Sequence, residues 1–317
     1  MADTHSSAQV LRRASFNLLI SATLFGLMAL GARLISARIP GSQMAFVRFA
    51  SGVVTVFIAW SRFDVVLQPT RWGWLFVRGT AGGLAVLCYY VSIARIGAGF
   101  ATLLNYTSPV FSLICAWILL GERPRRDAIV ALVLTLSGVA MVVGFDNANA
   151  GAWAFVAMAS AVLSGVAVTA IRAARQPSAD GRPAENAWTV FASFTTLGTL
   201  ATIPSTFGPF GHWVAPTSYE WLVLFFVVLS SIVAQLVMTS ALGHVTVVGS
   251  GIIHQLTPLI ALAGGVVLLG ETVSRLAAIG CLVTLSGVGW TVLATGRIPR
   301  SVKADRDSPL EHPRAQS

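Results

Sequence analysis

Two short stretches set polar side chains and a proline inside runs that are otherwise apolar: NYTSPVFSLICAWILLGE over residues 105–122 and HQLTPLIALAGGVVLLGE over 254–271. A proline has no N–H, so Pro109 leaves the carbonyl of Asn105 without its helical donor, and Pro258 does the same for His254. Each stretch therefore offers a free backbone acceptor with a polar side chain beside it, and Tyr106 and Gln255 extend the pair. Groups of this kind recognise a polar molecule or an ion by hydrogen bonding. They do not break bonds: no nucleophile stands with a base, no acids are paired, and every carboxylate is expected at a surface. Cys88, Cys115 and Cys281 fall in apolar runs without partners at metal-binding or redox spacing, so they read as packing residues. Neither a cofactor nor a metal is implied.

Asparagine, histidine and glutamine within apolar runs must be positioned by elements that tolerate them, and the composition says what those elements are. Of the 317 residues 55% are hydrophobic and 10% charged, whereas a soluble domain carries about 25% charged residues. Apolar runs of about 20 residues recur, each long enough to cross a hydrocarbon core of about 30 Å. Ten can be counted: 14–35, 43–61, 72–94, 98–120, 127–145, 151–172, 186–205, 218–241, 247–269 and 274–294. They are continuously apolar rather than alternating, which predicts helices and not barrel strands. The expected fold is all-α, a polytopic membrane protein.

The formal charge of +9 could suggest nucleic acid, but the basic residues follow topology. With the N terminus in the cytoplasm, fifteen lie on inner flanks, from Arg12 and Arg13 to Lys303, Arg306 and Arg314. The outer flanks hold Arg33, Arg38, Arg95 and Arg275, and Arg48 and Arg78 fall inside spans. This asymmetry predicts that both termini are cytoplasmic, and it makes a nucleic-acid partner unnecessary. The RRASFNLLI stretch at 12–20 faintly resembles an export signal, but its apolar run is long and lacks a small-residue cleavage site, so a retained first helix is expected.

The two opening stretches align at an offset of 149 residues, Pro109 on Pro258, Gly121 on Gly270 and Glu122 on Glu271. The same register carries TLSGV at 135–139 onto TLSGV at 284–288. The chain thus reads as a duplication: a tail over 1–13, a first repeat over 14–145, a second over 146–296 and a polar tail over 297–317. Five spans per copy is an odd number, so the copies are expected to be inverted (5+5). RPRR follows the first GE pair and TVSR the second, in accord with that. Inverted repeats characterise secondary transporters, whose substrate site lies between them.

The block YYVSIARIGAGFATLLNYTSPVFSLICAWILLGERP resembles the third and fourth helices of an EamA-type repeat of the drug/metabolite transporter superfamily, and LTPLIALAGGVVLLGE repeats the pattern. The likeness covers nearly all of 14–296 and is weakest in helices six and seven. It implies a ten-helix carrier of a bacterial inner membrane, commonly an exporter of amino acids or other small metabolites.

Within that frame the substrate-site candidates are Asn105, Tyr106, Pro109, His254, Gln255 and Pro258, bracketing the midplane on helices four and nine. Asn105, Ser108, Pro109 and Ser112 share one helical face. Alternatively, the prolines kink two helices for packing and the polar groups bond neighbouring backbone. Tyr89 and Tyr90 are candidates for lining the cavity. Arg48 and Arg78 either bind an anionic group or are structural, snorkelling or paired as Arg78 with Glu122 and Arg48 with Glu271. Gly121 and Gly270 are expected to stop their helices, with Glu122 and Glu271 fixing the loops. No carboxylate lies deep in a span, so if transport is proton-coupled His254 is the titrating group. The partners expected are a small molecule and the lipid bilayer. Amino-acid-like compounds suit the available groups, as would a nucleoside-like, cationic or drug-like metabolite, taken up or exchanged; a channel is the less favoured reading, since no filter segment is evident.

Overall fold

The computed structural model describes residues 2–96, 98–143, 151–177, 181–207, 211–270 and 274–295. These form twelve helices and, among the described residues, no strand. In order they are α1 (Ala2–Ile35), α2 (Gly41–Arg62), α3 (Trp72–Ile96), α4 (Ala98–Asn105), α5 (Ser108–Leu120), α6 (Arg126–Val143), α7 (Gly151–Ala174), α8 (Ala187–Phe207), α9 (Ser218–Ala241), α10 (Val247–His254), α11 (Leu256–Leu269) and α12 (Arg275–Thr295). Six stretches are long and apolar enough to cross a membrane: Gln9–Ile35, Gly41–Arg62, Trp72–Ser92, Gly151–Ala174, Ser218–Ala241 and Val247–Leu268, the last running through α10 and α11. α1 begins upstream of the expected 14, and the polar tail over 297–317 lies outside the described residues.

Many small and polar side chains are buried, alongside large apolar ones such as Leu18, Phe49 and Ile171, while other large apolar side chains face outward. Ser21, Thr135, Ser160 and Thr202 are wholly buried, whereas Phe155 is 79% exposed. Lipid is as apolar as leucine, so helices gain nothing by hiding leucines from it and associate through close packing and hydrogen bonds instead. The crossings show this. A Cβ added to Gly83 of α3 would stand 2.9 Å from the Cα of Gly198 in α8, and one on Gly138 of α6 would stand 2.6 Å from the Gly280 carbonyl of α12. Only glycine lets these backbones approach so closely.

α3 packs along α7 and α8, α1 along α9 and α11, α6 on α12, α2 on α8 and α5 on α7. The connections are tied down by buried acids, which corrects the expectation that every carboxylate lies at a surface. Glu185, 2% exposed, accepts from the backbone N–H of Thr70 and of Arg71, each at 2.6 Å. That pins the segment before α3 to the one before α8. Glu220, 7% exposed, closes a capping box with Thr217 at the start of α9 and takes Arg38 from the α1–α2 connection. A span end supplies free N–H groups and lies near basic loops, so an acid there finds donors.

Candidate functional site

The runs expected to be kinked are broken. α4 stops at Asn105, Tyr106 and Thr107 form a turn, and α5 starts at Ser108 with Pro109 in its first turn. α10 stops at His254, Gln255 turns, and α11 starts at Leu256 with Pro258 likewise in its first turn. A proline is tolerated there because first-turn N–H groups have no intrahelical acceptor. The backbone at Thr107 (φ −77°, ψ −7°) and Gln255 (φ −66°, ψ −7°) stays near helical values. What is interrupted is the hydrogen-bond ladder more than the direction of the chain.

Both breaks are held by the same three-part bond. Asn105 Nδ2 donates to Ser160 Oγ at 2.7 Å, and Ser160 Oγ donates to the Ala85 carbonyl at 2.8 Å. His254 Nε2 lies 3.1 Å from Ser21 Oγ, which donates to the Ala234 carbonyl at 2.9 Å. Asn105 and Ala85 map onto His254 and Ala234 at the offset of 149, while Ser21 maps onto Ser160 at an offset of 139. The serines are site residues that the sequence reading missed. They were findable as SATLFG and SAVLSG, in a register shifted by ten residues.

The two breaks also meet. Gln255 Nε2 donates to the Tyr106 carbonyl at 2.8 Å, and Gly251 of α10 abuts Pro109 of α5. Gln255 is 1% exposed, and its Oε1 has no partner. Tyr89 bonds Thr102 of α4 through its hydroxyl at 2.7 Å and packs against Tyr90, ring centroids 5.7 Å apart. Tyr90 in turn lies on the aromatic cluster of Phe49, Phe191 and Phe194.

The two intramembrane arginines face that cluster. The Arg78 Cζ sits 3.7 Å from the Phe194 ring centroid, and the Arg48 Cζ sits 6.0 Å from the same centroid and 5.8 Å from those of Phe25 and Phe49. Phe25 also meets the His254 ring at 5.9 Å, so Arg78, Arg48 and His254 are joined through aromatic faces. Arg78 is 4% exposed, and its Nε has no partner.

Among the described residues neither arginine forms an ion pair. The expected pairing of Arg78 with Glu122 is incorrect: Glu122 Oε1 takes Arg172 Nε at 2.8 Å, and its Oε2 lies 3.4 Å from the Val247 N–H at the start of α10. The helix neighbouring α5 is α7, whose last turn carries Arg172, whereas Arg78 lies on α3 and faces Phe194. Glu271, the expected partner of Arg48, lies outside the described residues. Gly121 and Gly270 end α5 and α11 in the left-handed region at φ 67° and 65°, a conformation that glycine adopts without cost.

The sequence profile of the EamA-like transporter family matches residues 12–144 and again 151–293. The pseudopaline exporter CntI of Pseudomonas aeruginosa is 30% identical over 210 residues, covering 66% of this chain and 71% of that protein. Solute carrier family 35 member G1 of Homo sapiens is 33% identical over 69 residues, 22% of this chain and 19% of that one. A solved crystal structure shares the fold at a TM-score of 0.71 and 22% identity, covering 90% of this chain and 99% of its own. The chain therefore belongs to the EamA-like transporter family, and it is a membrane transporter rather than an enzyme.

Proposed function

We propose that this multi-pass inner-membrane transporter of small metabolites exports amino acids or amino-acid-like compounds by alternating access. The observation that carries the substrate class is that the six buried side-chain polar atoms without partners among the described residues include Arg78 Nε and Gln255 Oε1. One is a fixed cationic donor and the other a fixed acceptor, which is the complement of a carboxylate and an ammonium. Unpaired buried polar atoms are costly and are few in native proteins, so Gln255 Oε1 at the α10–α11 break and Arg78 Nε on the Phe194 face point to a ligand. The substrate site consists of Asn105, Tyr106, Pro109, His254, Gln255, Pro258, Tyr89, Tyr90, Arg48 and Arg78. Two guanidiniums without a counter-ion among the described residues speak against a cationic metabolite.

Ten spans arranged as inverted repeats over 14–145 and 146–296, with both termini cytoplasmic, complete the reading. The double match of the family profile and the recurrence of the Asn105–Ser160–Ala85 bonds as His254–Ser21–Ala234 support it. That the relative in Pseudomonas aeruginosa is an exporter supports the direction. Counterflow of labelled aromatic and aliphatic amino acids into proteoliposomes preloaded with unlabelled compound tests the substrate class, with His254→Ala and Asn105→Ala alongside. Saturable counterflow lost in both variants is the expected result; no counterflow with any amino acid rejects the substrate class.

A further inference from the structure

We propose that the substrate carries two carboxylates and that Arg48 and Arg78 each bind one of them. This deepens the amino-acid reading above and rests on it for the site, but not for the ammonium. The starting observation is that one ring, Phe194, is faced by two guanidiniums, at 3.7 Å and 6.0 Å from its centroid. Two like charges gathered on one ring repel, and an arginine cannot escape by losing its proton as a lysine can. Either charge is expensive at membrane depth unless an anion or water meets it.

Among the described residues, the carboxylates are engaged elsewhere or exposed. Glu122 holds Arg172, Glu220 holds Arg38, Asp127 holds Arg125, and Glu185 takes the N–H groups of Thr70 and Arg71 through Oε1. Asp64 sits exposed beyond the end of α2. The aromatic faces recover only a small part of the solvation that the cations lose. A guanidinium presents a planar fork of N–H groups that matches the two oxygens of a carboxylate. Arg78 Nε, buried and without a partner, is one tine of such a fork. A compound with a single carboxylate would leave the second guanidinium uncompensated. A compound with two neutralises both.

The test uses the purified full chain, in detergent for ligand-induced thermal shift and in proteoliposomes for counterflow, with L-glutamate, L-leucine and succinate as probes. The expected result is that L-glutamate exchanges at least about tenfold faster than L-leucine at equal concentration and that succinate competes. Succinate and glutamate should both raise Tm. Arg48→Gln and Arg78→Gln should each abolish the shift by succinate, and Arg78→Lys, which keeps the charge, should restore part of it. An unchanged elution profile for Arg78→Lys separates loss of binding from loss of fold. Equal exchange of leucine and glutamate with Arg48→Gln unaffected would overturn the two-carboxylate inference and leave the amino-acid reading standing. A succinate shift that needs both arginines, with no amino acid exchanged, would keep the inference and overturn the amino-acid reading. No shift with any probe would overturn both.

Discussion

At the scale of single residues, the bonds around His254 require more protons than a neutral ring can supply. Ser21 has one hydroxyl proton and gives it to the Ala234 carbonyl. His254 Nδ1 lies 2.9 Å from the Ser250 carbonyl, an acceptor only, so Nδ1 must carry a proton. Nε2, facing an oxygen whose proton is already used, must then donate as well. All three bonds coexist only on an imidazolium; a neutral ring must give one of them up. At the equivalent position the Asn105 amide donates to Ser160 with no titration. Arg48 stands across Phe25 from this network, and no described ion pair involves His254. Raising the pH should therefore loosen the tie between Ser21 and α9 by about 0.5–1.5 kcal/mol, the worth of one hydrogen bond. Transport should vary with pH as His254 titrates, and His254→Asn should flatten that profile while keeping the bond to Ser21. A variant that transports with the wild-type pH profile excludes His254 as the titrating group.

At the scale of elements, the breaks at 105–108 and 254–256 depend on a donor that proline lacks. Pro109→Ala restores an N–H that can reach the Asn105 carbonyl, and the near-helical angles at Thr107 let the ladder close. α4 and α5 should then run as one helix, with Tm unchanged or raised and counterflow lowered by about tenfold or more, because the polar atoms of the break are absorbed into the ladder. Loss of Tm together with transport would make the proline a packing residue only. The α6–α12 crossing gives a second contrast. Gly138→Leu has no room beside Gly280 and should destabilise by about 1–3 kcal/mol, as overpacking does, whereas Gly289→Leu, with nothing within 4 Å of its Cβ, should be silent in the same thermal melt. The prolines and the Asn105/His254 equivalence were legible in the sequence because they share one register. Two things were hidden for identifiable reasons. Composition does not change across the breaks, so 98–120 and 247–269 read as single helices. Depth in the bilayer does not say which helix ends are neighbours, so a pair with Arg78 stands as one option for Glu122, whereas the end of α7 brings Arg172.

At the scale of the whole molecule, the bonding pattern says which helices can move together. α1 belongs by sequence to the first half, yet it packs on α9 and α11, and Ser21 is tied to Ala234 and His254. α7 belongs to the second half, yet it packs on α3 and α5, and Ser160 is tied to Ala85 and Asn105. Alternating access by rocking the two sequence halves would have to break both three-part bonds and part Gly26 from Ile260 and Gly165 from Phe111. A Cβ on Gly26 would lie 2.6 Å from that of Ile260, and one on Gly165 would lie 2.8 Å from that of Phe111. Movement that keeps α1 with α9–α11 and α7 with α3–α5 breaks none of these contacts; it places the sliding between the two groups, where Gln255 bonds Tyr106, Gly251 abuts Pro109, Glu122 faces the Val247 N–H and Arg172 bonds the Leu242 carbonyl. The two schemes separate in one experiment. In a chain freed of Cys88, Cys115 and Cys281, the pairs Gly26→Cys with Ile260→Cys and Gly165→Cys with Phe111→Cys have Cβ atoms near enough for a disulfide after a small adjustment. If the swapped groups are the moving bodies, counterflow should survive oxidation of either pair within about twofold of the reduced protein, since a disulfide inside a rigid unit leaves the transition between states free. If the sequence halves rock instead, each disulfide spans the moving interface, and oxidation should stop transport until the bond is reduced.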